Sequence, residues 1–237
     1  MKQFEKQGNP LGSEKQYASM TDLMLMAKMY QEKSEFEKTL ICLERAVFAS
    51  YLPAKFRLAC FLRDTIDLEQ TQAERFSRCE QLLQEVERAN DQKDILARVY
   101  FELSVLYEKM NRPISCLGYL LKSRRYGRDI DEKIISDYRK RIHQQVDINK
   151  LSEDAHGCYI LGVECSKDAI TMLHAFYFLE EAVKNGDPYG LAALELGELL
   201  ELYPEHKEYY SQIASKFFGI AAERGNPQCL SVKRKPQ

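Results

Sequence analysis

Two stretches near the end of this 237-residue sequence constrain its fold more than anything else in it. AFYFLEEAVKNGDPYG begins at Ala175, ASKFFGIAAERGNPQC begins at Ala214, and their matching positions lie 39 residues apart. Ala175 pairs with Ala214, Phe178 with Phe217, Ala182 with Ala221, Gly186 with Gly225, Asp187 with Asn226 and Pro188 with Pro227. A second offset, of 35 residues, relates Leu161-Gly162 to Leu196-Gly197. Recurrence in this range is what stacked helical hairpins produce. The shared residues explain the spacing. Ala182 and Ala221 are small enough to let a neighbouring helix approach. Gly186 and Gly225 suit the left-handed residue just past a helix end. Asp187 and Asn226 suit the N-cap of the next helix, and Pro188 and Pro227 its first turn, where the missing N–H is not needed. Gly-Asp/Asn-Pro therefore stops one helix and starts another.

The rest of the chain agrees. It holds 11 Gly and 7 Pro, about 8% together, against roughly 12% in average usage. Thr and Val, both strand formers, number only 5 and 8, which leaves little room for a sandwich, a barrel or a disordered tail. LMLMAKMYQEKSEFEKTLICLERAVFASYLPA, from Leu23 to Ala54, reads as a helix to about Tyr30, a turn near Lys33-Ser34 and a helix from Glu35 to about Ser50. VYFELSVLYEKMNRPISCLGYLLKSRRYG, from Val99 to Gly127, has the same plan with its turn at Asn111-Arg112-Pro113. AKFRLACFL and the stretch from Glu69 to Ala89 supply another pair. Apolar residues recur at helical spacing, as in Leu96, Val99, Tyr100, Leu103 and Leu106-Tyr107. The expectation is an all-α chain of about eleven helices. It divides into an N-terminal extension (1–18), degenerate hairpins (19–127), a linking helix (128–150), the clearer repeats (151–230) and a basic tail (231–237). The linking helix is expected to join two lobes.

LEEAVKNGDPYGLAALELGELLE and FFGIAAERGNP resemble the Sel-like repeat family, a longer relative of tetratricopeptide repeats. Residues 19–127 look like degenerate tetratricopeptide repeats, with Tyr30 and Tyr107 where the family carries its first-helix tyrosine and Ala27 and Ser104 at the small position before it. Thr39 and Cys116 stand where an alanine of the second helix is usual, and the turns there lack glycine. The resemblance implies a right-handed α-α superhelix, a solenoid whose first helices line a concave surface. It also implies a scaffold or adaptor that binds a protein or peptide and carries no chemistry of its own. Many bacterial members act in host-interaction, envelope or regulatory complexes. By that repeat geometry the outward-facing candidates are Met24, Lys28, Phe56, Arg63, Phe101, Val105, Tyr159 and Glu198.

Bulk properties limit the alternatives. Formal net charge is −2, which argues against binding nucleic acid or a membrane surface with the whole protein. The longest uncharged stretch, Ala169 to Leu179, would span about 16 Å as a helix, half of a bilayer core. No apolar run marks a secretory signal in MKQFEKQGNPLGSEKQ, so a cytoplasmic protein is expected. The seven cysteines (Cys42, Cys60, Cys79, Cys116, Cys158, Cys165, Cys229) have no common spacing and sit among apolar neighbours, as buried reduced thiols do. No P-loop, dinucleotide fingerprint, nucleophile elbow or His-Glu-x-x-His occurs. His156, Cys158 and Cys165 do not converge as a metal site would on one helix, and His143, His174 and His206 are scattered. No cofactor, metal or catalytic residue is therefore assigned; a helical enzyme or metal protein using Cys and His is the alternative.

Charge is distributed unevenly. Residues 109–141 hold ten basic residues against four acids, and residues 180–208 hold eight acids against Lys184 and Lys207. Solvated helix faces account for both. A functional reading gives the basic middle an acidic partner, or the acidic half of another copy. Arg124, Arg125 and Arg128 are the partner-binding candidates there, and nucleic-acid binding through LKSRRYGR is the weaker variant, because no base-stacking platform accompanies it.

Overall fold

The computed structural model describes residues 19–66, 68–145, 155–167, 171–187, 190–202 and 207–228. Among these the chain is all-helical, with eleven helices and no strand. They are α1 (Met20–Glu32), α2 (Phe36–Phe48), α3 (Leu52–Asp64), α4 (Gln72–Arg88), α5 (Lys93–Lys109), α6 (Pro113–Arg125), α7 (Glu132–Gln145), α8 (Ala155–Cys165), α9 (Met172–Lys184), α10 (Leu191–Glu201) and α11 (Lys207–Glu223). Neighbouring helices pack consecutively, the arrangement of an α-α helical repeat. No described helix is long and apolar enough to cross a membrane. The extension 1–18 and the basic tail lie outside the described residues.

The chain divides into two compact units, Met1–Arg78 and Cys79–Gln237, with the boundary inside α4. In the first, a capping box opens α1: Asp22 N–H donates to Ser19 Oγ (3.2 Å), and Ser19 N–H donates to the Asp22 carboxylate (2.9 Å). Leu23, Ala46 and Ala54 are buried together, with Met20, Met24, Val47 and Tyr51 packed around them. Arg57 ties α3 to α1 by donating to the Met24 carbonyl (3.2 Å).

In the second unit α5 packs on α6, α8 on α9, and α10 on both α9 and α11. Helix α7 falls inside this unit; it packs on α6, which itself packs directly on α8. The approach of α6 to α8 is close at Gly118, where a Cβ would stand 3.0 Å from the Leu161 backbone nitrogen. A tyrosine stack fills the α5–α6–α8 interior. The rings of Tyr107 and Tyr119 lie 5.4 Å apart and nearly parallel, Tyr100 meets Tyr126 edge-on at 5.1 Å, and Tyr119 Oη lies 3.0 Å from His156 Nε2. Lys122 sits 4.2 Å from the Tyr100 ring centre and pairs with Glu87 at 3.1 Å, so a cation is held over buried rings.

The two sequence offsets turn out to be two sides of one contact. A Cβ on Gly162 of α8 would lie 2.7 Å from Leu179 Cγ of α9, and one on Gly197 of α10 would lie 2.4 Å from the Phe218 ring of α11. The glycines recur at 35 residues and the side chains that fill their notches at 39. Each pair lets a second helix press into the first.

Six helices end the same way. Backbone N–H groups of Glu35, Tyr51, Arg112, Arg128, Asp187 and Asn226 each donate to the carbonyl five residues earlier, on Tyr30, Ala46, Tyr107, Ser123, Ala182 and Ala221, at 2.9–3.2 Å. The residue before each donor is left-handed: Ser34, Ser50, Asn111, Gly127, Gly186 and Gly225. This is the Schellman closure, which returns orphan carbonyls of the last turn to hydrogen bonding. In the N-terminal half serine and asparagine adopt it without glycine, at a strain of about 1 kcal/mol each.

One joint departs from the expectation. Asn226 does cap the turn after it, its Oδ1 accepting the Gln228 N–H at 3.0 Å. Asp187, however, is not adjacent to the helix it serves, because α10 starts at Leu191 with Gly190 (φ 64°) as its N-cap residue. Asp187 Oδ2 reaches across to accept the Ala193 N–H at 3.1 Å, so the capping bond survives without the local geometry.

Candidate interaction surface

Helix α10 buries Ala192, Ala193, Leu194, Leu196, Gly197, Leu199 and Leu200. Apart from Glu201 at its end, the outward residues form a single stripe, Leu191, Glu195, Glu198 and Leu202, at i, i+4, i+7 and i+11. It is about 16 Å long. Its two ends are exposed leucines, Leu191 at 38% and Leu202 at 74%. Its centre is acidic. Neither Glu195 nor Glu198 forms an ion pair among the described residues. Glu195 is half-buried, and burial first, then the Glu198 charge, raises its carboxyl above the ordinary carboxylate range while Lys167 opposes the shift. Tyr159 of α8 stands beside them. Burial chiefly, with the charges of Glu195, Asp187 and Glu198, pushes its phenol up to about 12, so it is a neutral donor at any physiological pH.

Alongside runs a compensated cluster. Glu164 of α8, with its side chain 5% exposed, holds Arg125 Nη2 at 2.9 Å and Lys167 Nζ at 3.4 Å. Burial lowers the Lys167 ammonium more than Glu164 raises it. The surface thus pairs its buried acid internally and leaves the Glu195 and Glu198 carboxylates without an ion-pair partner among the described residues.

The raised Glu195 value has a testable consequence. A carboxyl whose folded-state pKa lies above its unfolded value favours the fold while protonated, and loses that contribution as pH rises through the folded value. Glu195→Gln should therefore raise the melting temperature at pH 7 and change nothing near pH 3, where both forms are neutral. A variant less stable than the parent at pH 7 would contradict the buried-repulsion account.

The candidates named from the sequence fall in different places. Tyr159, Glu198 and Arg125 come together on this face of the second unit. Arg124 and Arg139 both engage Glu132, and the Arg128 guanidinium lies 3.7 Å from the Phe101 ring centre. The three arginines of LKSRRYGR are thus each occupied within the chain, which lowers what they can offer a nucleic acid. Val105 is half-buried in α5. In the first unit Met24 packs on the Leu23 cluster, Lys28 is exposed near Glu32 (3.9 Å), and Phe56 is half-buried. Arg63 is a correction to the outward set: its side chain is only 9% exposed and grips Asp64 through Nε (3.0 Å) and Nη2 (2.7 Å). No family model, curated protein or solved structure matches this chain.

Leu191, Glu195, Leu202, Glu164 and Lys167 do not stand out in the sequence. The i, i+4, i+7, i+11 spacing of the α10 stripe is a signal, hidden because two of its members are apolar and pass as core. Among the described residues no three His, Cys, Asp or Glu side chains converge as metal ligands. Cys42, Cys79, Cys116, Cys158 and Cys165 are buried and Cys60 half-buried, while Cys229 lies outside the described residues. Burial pushes the Cys116 thiol up to about 12, against hydrogen bonding from Tyr138, so it is a poor thiolate source.

Proposed function

We propose that this chain is a non-enzymatic scaffold or adaptor, acting in the cytoplasm, that binds a protein or peptide through the α8–α10 face. The observation that carries the reading is the α10 stripe: two exposed leucines flank a pair of carboxylates that make no ion pair among the described residues, with Tyr159 beside them. An aromatic anchor with an apolar and charged rim is the composition that concentrates binding energy at protein interfaces. The likeness of the 151–230 segment to Sel-like repeats and of 19–127 to tetratricopeptide repeats supports the same class, as does the consecutive packing of helices. The charge of the stripe favours a partner segment carrying lysine or arginine.

Affinity capture with the 237-residue chain tests this directly, compared with Tyr159→Ala and Glu198→Lys variants whose helical content and melting temperature match the parent. At least one captured protein should be lost from both variants. Glu198→Lys should weaken its binding about tenfold or more, since it replaces attraction by repulsion. Identical capture by all three chains would refute the assignment of this face.

A further inference from the structure

The α10 stripe also limits the form of what docks on it. We propose that its occupant is a partner α-helix laid along α10, carrying an apolar residue, two lysines or arginines and a second apolar residue at i, i+4, i+7 and i+11. The proposal rests on the reading of the α8–α10 face as the binding surface.

Three observations carry it. The first is the shape of the opening. At about 100° per residue, Leu191, Glu195, Glu198 and Leu202 fall within about 60° of one another around the axis. Leu202 belongs to the series because, as the C-cap residue of α10, it keeps right-handed helical angles (φ −75°, ψ −14°). Leu194 on one side of the stripe and Leu199 on the other are buried. Between them about 140° of the helix circumference is open. That is the order of sector one packed helix covers.

The second is spacing. The steps from Leu191 to Leu202 are four, three and four residues, or about 6, 4.5 and 6 Å along the axis. A second helix has the same rise, so the same steps on it meet the stripe position by position. An extended segment turns a side chain to one face every ~6.8 Å, and over three steps it overshoots the far leucine by about 4 Å. Helix α10 satisfies its backbone internally and offers no sheet edge that would hold such a segment by main-chain bonds.

The third is the order of chemistry. The stripe runs leucine, glutamate, glutamate, leucine, and both its spacing and its chemistry read the same in either direction. An incoming helix therefore finds one register whichever way it runs, with apolar residues on the leucines and bases on the acids. The aliphatic stems of lysine or arginine add apolar contact there, and Tyr159 offers a flat ring and a phenol donor at the edge. The same symmetry argues against a second copy as occupant. Helix α10 laid on itself brings carboxylate against carboxylate in both directions.

The probe is a labelled synthetic peptide of alanine and glutamine, about 18 residues long so that it holds a helix. It carries leucine, lysine, lysine and leucine at i, i+4, i+7 and i+11. Fluorescence anisotropy with the 237-residue chain at low salt measures its binding. It should bind about tenfold or more tightly than a peptide of equal composition whose lysines are each moved two residues along, about 200° around the helix. A peptide with proline between the lysines, which breaks the helix, should lose about as much. Glu198→Lys should weaken the probe about tenfold, and exchanging one peptide lysine for glutamate should recover that loss, which a misfolded variant does not permit. Equal binding of the proline peptide would overturn the proposal in favour of an extended segment. Equal binding of the shifted peptide, or no binding of any of them, would overturn it outright. The broader reading fails differently: there, partner capture is indifferent to Tyr159 and Glu198 whatever the peptides do.

Discussion

Replacing Asp187 with alanine is expected to cost the second unit about 3 kcal/mol of stability. The Asp187 side chain is 1% exposed and has two jobs. Its Oδ2 accepts the Ala193 N–H and lies 3.5 Å from Arg224 Nη1. Alanine leaves a buried amide without an acceptor, which alone costs about 1–3 kcal/mol. The ion pair adds less, because Arg224 is 32% exposed and water screens it. Asp187→Asn separates the two contributions: it keeps an acceptor for Ala193, removes the charge, and should cost about 1 kcal/mol. Urea unfolding followed by far-UV circular dichroism measures both. A loss below about 1 kcal/mol for Asp187→Ala would show that the joint between α9 and α10 does not depend on this carboxylate.

The second large effect is at Gly190. Its φ of 64° is left-handed, and a Cβ there would stand 2.5 Å from Ala221 Cα and 3.0 Å from the Ala221 carbonyl oxygen. Both obstacles are backbone, so no rotamer change relieves them. Gly190→Ala should lose about 3 kcal/mol, roughly 1 from the dihedral and the rest from forcing α11 away from α10. Two other glycines dissect that sum. Gly186 has φ 95° with open space around a built Cβ, so Gly186→Ala should show the dihedral cost alone, about 1 kcal/mol. Gly219 lies in α11 with nothing within 4 Å, so alanine there should be neutral or stabilising by up to about 1 kcal/mol. If Gly190→Ala proved no worse than Gly186→Ala in thermal melts, the close approach of the two helices would be wrong.

Much of this fold could be read from residues with unusual backbone demands. Gly186 and Gly225 both end their helices left-handed, and Asn226 caps the next turn, because few other residues satisfy those positions as readily. Ser34 and Asn111 close their helices identically, at the turns the sequence marks near Lys33-Ser34 and at Asn111-Arg112-Pro113, whereas Ser50 carries no such local signal. There the backbone bond that closes the helix holds a residue other than glycine in the left-handed region. The displacement of α10 to Leu191 was equally hidden, since Asp187 serves Ala193 through a contact six residues away. Outward positions carry the weakest signal in the sequence. Arg63 faces outward by the repeat geometry that the resemblance implies, but its side chain is 9% exposed and bonded to Asp64, and Phe101 is half-buried beneath an arginine 27 residues along the chain. Glu195 and Glu198 take their meaning from how the charges of α8 are already paired, which only the assembled helices reveal.

The tyrosine stack has a practical meaning for anyone studying this molecule. The chain contains 14 tyrosines and no tryptophan, so its near-ultraviolet optical signals are not swamped by indole. Tyr107 and Tyr119 lie nearly parallel at 5.4 Å, with Tyr100 against Tyr119 at 6.2 Å, inside the α5–α6–α8 interior. Rings held that close and that rigidly couple as chromophores. The second unit therefore carries its own spectroscopic gauge, one that reads the seating of α6 between α5 and α8 without a label.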